Sequence, residues 1–161
     1  MNTRKKLKVG DVFFIPITEG LFGIGWITCK CEGSFLCEFF MPVKVKSEYI
    51  RKMLCQNSIF SKWIYSPGLK QGIEEPHDFY EIPSDYSFPY FASSYDVKEK
   101  NIYISQATSK VLEYINDKRV DVEEAKKYSL QGIALSYSSV IKSYERRLRE
   151  KELFLEELDK M

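Results

Sequence analysis

The sequence has few of the residues that most often carry catalysis or bind metals. Its 161 residues include one histidine, His77, and four cysteines, and no two of these cysteines form a C-x2-C pair. Structural zinc sites need such closely spaced ligands, so the pattern excludes the common zinc motifs. No nucleophile motif accompanies the histidine either. We therefore expect no catalytic residue, no metal and no cofactor, and we interpret His77 as a loop residue.

An excess of charge of either sign is also missing. Lys and Arg total 24 and Asp and Glu total 23, which gives a net charge of +1. Dedicated DNA-binding domains usually carry a basic surplus, so this balance disfavours nucleic acid as a partner. No apolar run of about 18 residues is present, which disfavours a membrane span. Residues 1–14 lack the apolar centre of a signal peptide, so we expect a cytoplasmic protein.

The composition is that of one globular domain, residues 1–161. Hydrophobic residues make up 44% of the chain and charged residues 29%, which is ordinary for a folded protein. The 11 Tyr and 11 Phe residues favour β-strands and a bulky core. A chain of this length buries enough surface to fold without disulfides or metals.

Short aromatic-rich segments separated by turn residues predict an antiparallel β-meander. Gly20 and Gly33 mark hairpin turns. Gly23 and Gly25 indicate a sharply bent strand rather than a nucleotide loop, because Thr28 stands where a third glycine is needed. We expect an α+β fold, with a bent antiparallel β-meander or SH3-like partial barrel followed by C-terminal helices. The predicted strands are residues 12–15, 22–32, 35–41, 58–65 and 101–105.

Helical periodicity is expected mainly in the last third of the chain. Residues 47–55 and 107–116 each show one apolar face, and Asp121 resembles a helix N-cap. From residue 134 the pattern is helical to the end. We therefore divide the domain into a β-rich core, residues 7–105, and a helical extension, residues 106–161. Residues 66–100 hold four of the six prolines and predict an irregular connection.

The last predicted helix carries an apolar seam that needs a partner. Two partners stay open, namely the rest of the chain and the same helix of a second copy, which would give a homodimer. We expect residues 134–148 to pack within the chain and leave pairing through 148–158 open. The seam consists of Ile141, Tyr144, Leu148, Leu155 and Leu158.

The cysteines are expected to be reduced and buried. Ile27, Cys29 and Cys31 alternate with polar residues, which places them on one face of a strand. A free cysteine in that position behaves as a small apolar side chain.

Residues 74–97 are the best candidate for a binding surface. The segment contains six acidic residues, seven Phe or Tyr residues and no Lys or Arg. Acidic charge steers a basic protein partner and aromatic side chains anchor it. The alternative, in which these aromatics complete the core, stays open. The candidate binding residues are Glu74, Glu75, Asp78, Glu81, Asp85, Tyr86, Tyr90 and Tyr95.

A second surface supports a different function. Basic side chains, together with Trp26 and Trp63, are typical of a small β-barrel that binds nucleic acid or peptide. The alternative is a solvated basic surface. The basic residues are Arg4, Lys5, Lys6, Lys8, Lys44, Lys46, Arg51 and Lys52.

Three blocks of the sequence carry a family resemblance, namely residues 8–27, which contain the stretch Gly-Asp-Val-Phe-Phe-Ile-Pro, residues 59–64 and residues 86–91. The first block is similar to the start of the immunity protein 26 family of bacterial polymorphic-toxin systems. The other two resemble the later apolar strand and the proline-aromatic stretch of that family. The resemblance covers about residues 7–105. It implies a cytoplasmic antidote that binds and neutralises a cognate toxin without catalysis. A nuclease toxin would present a basic site, because it must bind phosphates.

Overall fold

We describe the protein from a computed structural model. The structure describes residues 6–18, 20–73, 75–93 and 102–159, with side chains described as far as residue 150. The strands are β1 (Asp11–Thr18), β2 (Leu21–Cys31), β3 (Ser34–Val43), β4 (Phe60–Tyr65), β5 (Asp78–Phe79), β6 (Tyr90–Ala92), β7 (Ile102–Ala107), β8 (Tyr114–Val120) and β9 (Ile133–Ala134). The α-helices are α1 (Ser66–Lys70), α2 (Val122–Ala125) and α3 (Tyr137–Asp159), and two 3₁₀ segments span Lys46–Glu48 and Arg51–Cys55.

The first sheet contains the expected antiparallel meander. Strands β1 to β4 pair in sequence order, β5 pairs with β1 at one edge, and β9 pairs in parallel with β4 at the other. Gly20 and Gly33 have φ of 76° and 78° in the hairpin turns, a conformation that glycine adopts without steric cost. The α+β class and the meander are confirmed. β1 and β3 run through Pro16 and Pro42, where we expected each to end.

A second sheet, with strand order β6, β7, β8, replaces the helix that we predicted at residues 107–116. That prediction is wrong because local bonds favour a turn. The Thr108 hydroxyl accepts from the Lys110 amide at 3.1 Å and lies 3.2 Å from the Glu113 carbonyl oxygen. Leu112 and Asn116 have φ of 64° and 55°, which no right-handed helix contains. Strand β7 crosses residue 105, and the segment 106–161 contains β8 and also β9, which joins the first sheet.

Two irregularities in the pairing of β2 with β3 direct side chains to different faces. The second lies between Ile27 and Cys29, which pair with Cys37 and Leu36 respectively. The extra residue places Ile27 on one face of the sheet and Cys29 on the other. Our prediction that these two side chains share a face is therefore wrong. Cys37 is buried, Cys29 and Cys31 are half-buried, and Cys55 is exposed, all as free thiols.

The largest core cluster lies between the first sheet and α3. Val140 and Tyr144 of α3 are fully buried in it, and Tyr137 and Ile141 pack at its edge. The N-terminal half of α3 thus packs within the chain, as expected. Leu148 is half-buried, and the side chains of Leu155 and Leu158 lie outside the described residues. The cluster contains Leu7, Phe13, Ile15, Ile17, Ile27, Phe35, Cys37, Phe39, Phe60, Ile64, Leu69, Val140 and Tyr144.

Two further clusters cover the opposite face of the first sheet. One surrounds Trp26 and Phe40, and the 3₁₀ segment that we predicted as part of a single helix at 47–55 adds Leu54 to it. The other joins Leu36 and Trp63 to Phe91 and so connects the two sheets. Between these clusters the face is polar, and the candidate site lies there.

Asp121 caps α2 as predicted: its side chain accepts a hydrogen bond from the Glu124 amide at 2.8 Å. Among the described residues, no helix has the length and apolar content needed to cross a membrane.

Candidate binding surface

The predicted acidic residues differ in how much of their charge is available. Glu81 and Asp85 are exposed and make no hydrogen bond or ion pair with any other described residue. Glu75 is also exposed. Glu74 and Tyr95 lie outside the described residues.

Asp78 is bound within the fold. It accepts from Arg51 at 3.0 and 3.1 Å and from the Tyr49 hydroxyl at 3.1 Å. These bonds, with that of Arg51 contributing most, lower the pKa of Asp78 to about 2. The Arg51–Asp78 ion pair connects β5 to the 3₁₀ segment that holds Arg51. The negative charge of Asp78 is therefore already neutralised within the fold. Of the predicted acidic residues, Asp78 is therefore the least suited to attract a partner.

The predicted aromatic residues divide between the core and the surface. Tyr86 is half-buried, donates to the Thr28 hydroxyl at 3.1 Å and packs edge-on against Trp26. Phe91, in the same segment, is fully buried. Tyr90 is half-buried at the start of β6. The alternative that aromatics complete the core therefore holds for part of the segment.

Trp26 and Trp63 are 3% and 1% exposed. Neither ring is open to stack on a base, which removes the main structural support for the nucleic-acid alternative. Arg51 of the basic surface is paired with Asp78, and Lys46 lies over the rings of Phe14 and Phe22 at 5.7 and 5.1 Å.

A cleft of about 560 Å³ brings Tyr86 and Tyr90 together with a residue that we had not selected, Glu38. Glu38 lies on β3 between Leu36 and Phe40, on the same face as both, in the polar gap between the two clusters of that face. We call this space the Glu38 cleft. Its lining residues are Glu38, Gln56, Asn57, Ser58, Ile59, Phe60, Ser61, Tyr86, Ser87, Pro89, Tyr90, Lys127, Tyr128 and Ser129.

The Glu38 carboxyl group is held by hydroxyl groups rather than by a cation. Its Oε1 accepts from Ser58 at 3.2 Å and from Ser61 at 3.0 Å. Within the described part of the chain it has no Lys or Arg partner, since Lys127 of the lining pairs with Glu124 at 2.9 Å. Burial raises the pKa of Glu38, while the hydroxyl bonds partly offset the rise. A half-buried carboxyl group with a shifted pKa in a cleft is a recognised mark of a functional site.

A signal for Glu38 was present in the sequence. It is the single charged residue in the run Phe35 to Met41, and such runs are buried on both faces. A charged residue there must have a partner or a role, since burial of a carboxylate is costly.

A separate cleft of about 470 Å³ contains His77, with Phe14, Phe22, Lys46 and Glu75 among its lining residues. The His77 ring is 4.5 Å from the Phe14 ring and 5.4 Å from the Tyr49 ring. Its amide donates to the Val12 carbonyl at 2.7 Å. His77 is thus exposed but packed on aromatic rings, next to the β5–β1 pairing.

Metal-binding geometry is absent from the described residues, in which no three His, Cys, Asp or Glu side chains are grouped to hold an ion. Comparison with protein-family models, with curated proteins and with solved structures found no match. The resemblance to the immunity protein 26 family therefore stays a prediction from the residues quoted above.

Proposed function

We propose that this chain is an immunity protein that neutralises a cognate bacterial toxin in the cytoplasm by one-to-one binding. In this proposal the Glu38 cleft receives a basic side chain of the toxin, and Tyr86 and Tyr90 pack beside it. Glu81 and Asp85 steer the toxin towards this face. The chain itself catalyses no reaction, because it inhibits the toxin by binding to it.

The observation that carries the proposal is the Glu38 carboxyl group, half-buried in an open cleft and without a cationic partner among the described residues. Burial of a carboxylate costs free energy unless it is paired. An Arg or Lys side chain from a partner would supply the missing charge and form a charge-assisted hydrogen bond. Truncating one member of such a buried pair usually costs about 2–5 kcal/mol of binding free energy.

A basic partner is also what a nucleic-acid-degrading toxin would offer. Its substrate site must neutralise phosphates with Lys and Arg. Binding of that site to the Glu38 cleft would block the substrate directly. We therefore propose a nuclease as the class of toxin.

Growth protection tests this function. A candidate toxin from the same gene neighbourhood is expressed with wild-type protein, with Glu38→Lys, or with Glu113→Lys. Glu113 is an exposed residue of the β7–β8 turn whose side chain makes no hydrogen bond or ion pair with other described residues. We expect wild type and Glu113→Lys to protect cells, and Glu38→Lys to fail at the same protein level.

Two results would contradict the proposal. Wild-type protein that gives no protection against any neighbouring toxin would remove the immunity function. Tight DNA binding with a steep dependence on salt would instead support the nucleic-acid alternative.

A further inference from the structure

A third, smaller cavity lies at the edge of the first sheet where β4 meets β9. It has a volume of about 180 Å³ and opens to solvent. Residues 130–134, the chain leading into and through β9, form one wall, and Ser139 of α3 forms another. Its lining residues are Lys62, Trp63, Leu130, Gln131, Gly132, Ile133, Ala134 and Ser139.

Three polar side chains that line this cavity have no partner among the described residues. Lys62, Gln131 and Ser139 are half-buried, and none of their side chains makes a hydrogen bond or ion pair with another described residue. All three can donate hydrogen bonds. The described lining includes no carboxylate. An ammonium group at such a depth normally has an acceptor, because burial of an unpaired charge is costly.

Further positive charge lies close to Lys62. Burial lowers the pKa of Lys62 most, and the charges of Arg146 and Arg147 on α3 lower it further. Both arginines donate to the Lys126 carbonyl, at 3.1 and 2.9 Å, which holds them in place. Glu150 pairs with both arginines, at 3.3 and 3.5 Å.

We propose that this cavity binds a small free oxyanion, of phosphate or sulfate size, with Lys62 supplying the charge and Gln131 and Ser139 the hydrogen bonds. At about 180 Å³ the cavity has room for a hydrated tetrahedral oxyanion, since a single water molecule needs only about 10–15 Å³ of such space. Arg146 and Arg147 add to the attraction without being part of the lining.

Binding is measured by titration calorimetry of the full chain with inorganic phosphate at constant ionic strength. We expect one phosphate per chain, displaced by sulfate. Lys62→Met keeps the apolar stem of the side chain and should weaken binding by about tenfold or more, the value of a hydrogen bond to a charged group. Lys52→Met is the matched control, an exposed lysine without a partner among the described residues, and should bind as wild type does.

A second variant, Ser139→Ala, keeps the test informative if Lys62→Met does not fold. Ser139→Ala removes one donor from the cavity and should weaken phosphate binding several-fold while leaving the circular-dichroism spectrum unchanged. The proposal is overturned if wild type binds no phosphate, or if Lys62→Met and Ser139→Ala both bind as wild type does. Equal or tighter binding of adenosine monophosphate would contradict the assignment to a free oxyanion. None of these outcomes depends on the toxin.

Discussion

The Tyr144 hydroxyl donates a 2.6 Å hydrogen bond to the carbonyl of Phe40 and so connects the C-terminal helix to the middle of the first sheet. The same oxygen accepts from the Ile24 amide at 3.1 Å, and Ile24 and Phe40 are register partners in β2 and β3. Tyr144 therefore bridges two strands where their pairing is irregular. Gly23 makes room for the ring, since a Cβ built there would overlap it.

Removing this hydroxyl should destabilise the fold. Tyr144→Phe keeps the ring but removes the hydroxyl group that is the hydrogen-bond partner of the Ile24 amide and the Phe40 carbonyl. Leaving a buried donor or acceptor unsatisfied costs about 1–3 kcal/mol. Urea denaturation measures this loss. Tyr103→Phe, which changes a 40% exposed tyrosine of β7, should stay within about 0.5 kcal/mol of wild type. Equal stability of the two variants would show that the bridge contributes nothing.

The Arg51–Asp78 pair should contribute stability that acid removes. The folded pKa of Asp78 is about 2, below the usual value of about 3.9 for an unfolded chain. The contribution is therefore complete above about pH 5 and is lost as the pH falls towards 2. Asp78→Asn should flatten this part of the stability profile. Arg51 is 61% exposed, so the effect should shrink in high salt.

The control for that series is Asp85→Asn, since Asp85 is exposed and unpartnered among the described residues. Its pH profile should follow that of wild type. If Asp85→Asn and Asp78→Asn lose the same acid-sensitive stability, the ion pair is not its source.

The stability contributed by Glu38 should depend on pH in the opposite direction to that of Asp78. Burial raises its folded pKa above that of the unfolded chain, so the folded state binds more protons in the interval between the two values. Stability contributed by this group is present at low pH and is lost as the pH rises through the folded pKa. Glu38→Gln keeps a carbonyl acceptor for Ser58 and Ser61 without the charge.

We therefore expect Glu38→Gln to be at least as stable as wild type at pH 7, with the difference vanishing below about pH 4. Thermal denaturation at several pH values measures this. A residue that costs stability when it is ionised but is kept for binding is a common trade-off at functional sites. A variant that is clearly less stable than wild type at pH 7 would show that Glu38 serves the fold instead.

The exposed acidic residues should affect the rate of toxin binding more than its strength. Reversing both Glu81 and Asp85 to Lys should slow association by about tenfold at low salt, because steering charges act over the Debye length. The dissociation rate should change little. Surface plasmon resonance at rising salt should bring the variant and the wild type together. Unchanged association at low salt would rule out a steering role.

Much of the β-meander could be predicted because its information is local. Gly20 and Gly33 fix the hairpin turns, and alternating or wholly apolar runs between them predict the strands. The helix predicted at residues 107–116 is wrong. The spacing of Val111, Leu112 and Ile115 fits a helix, but the Thr108 hydroxyl stabilises a turn there. The parallel pairing of β9 with β4 joins residues about 70 positions apart, and no local pattern encodes it.

Part of the candidate site could also be predicted from local sequence information. The segment 74–97 is distinguished by composition, which places Tyr86 and Tyr90 at the Glu38 cleft. Composition did not separate Asp78, which pairs with Arg51, from Glu81 and Asp85, which have no partner among the described residues. Nor did it reveal Glu38, whose position beside Tyr86 depends on how the connection folds back over β3.

The most direct test of stoichiometric toxin binding is titration calorimetry of the purified chain with a catalytically inactive form of the cognate toxin. Three proteins are compared at one salt concentration, namely wild type, Glu38→Gln and Glu113→Gln. We predict one toxin per chain for wild type and Glu113→Gln, and a Kd raised by about tenfold or more for Glu38→Gln. The absence of a one-to-one complex with wild type, or equal affinity of all three proteins, would contradict the account.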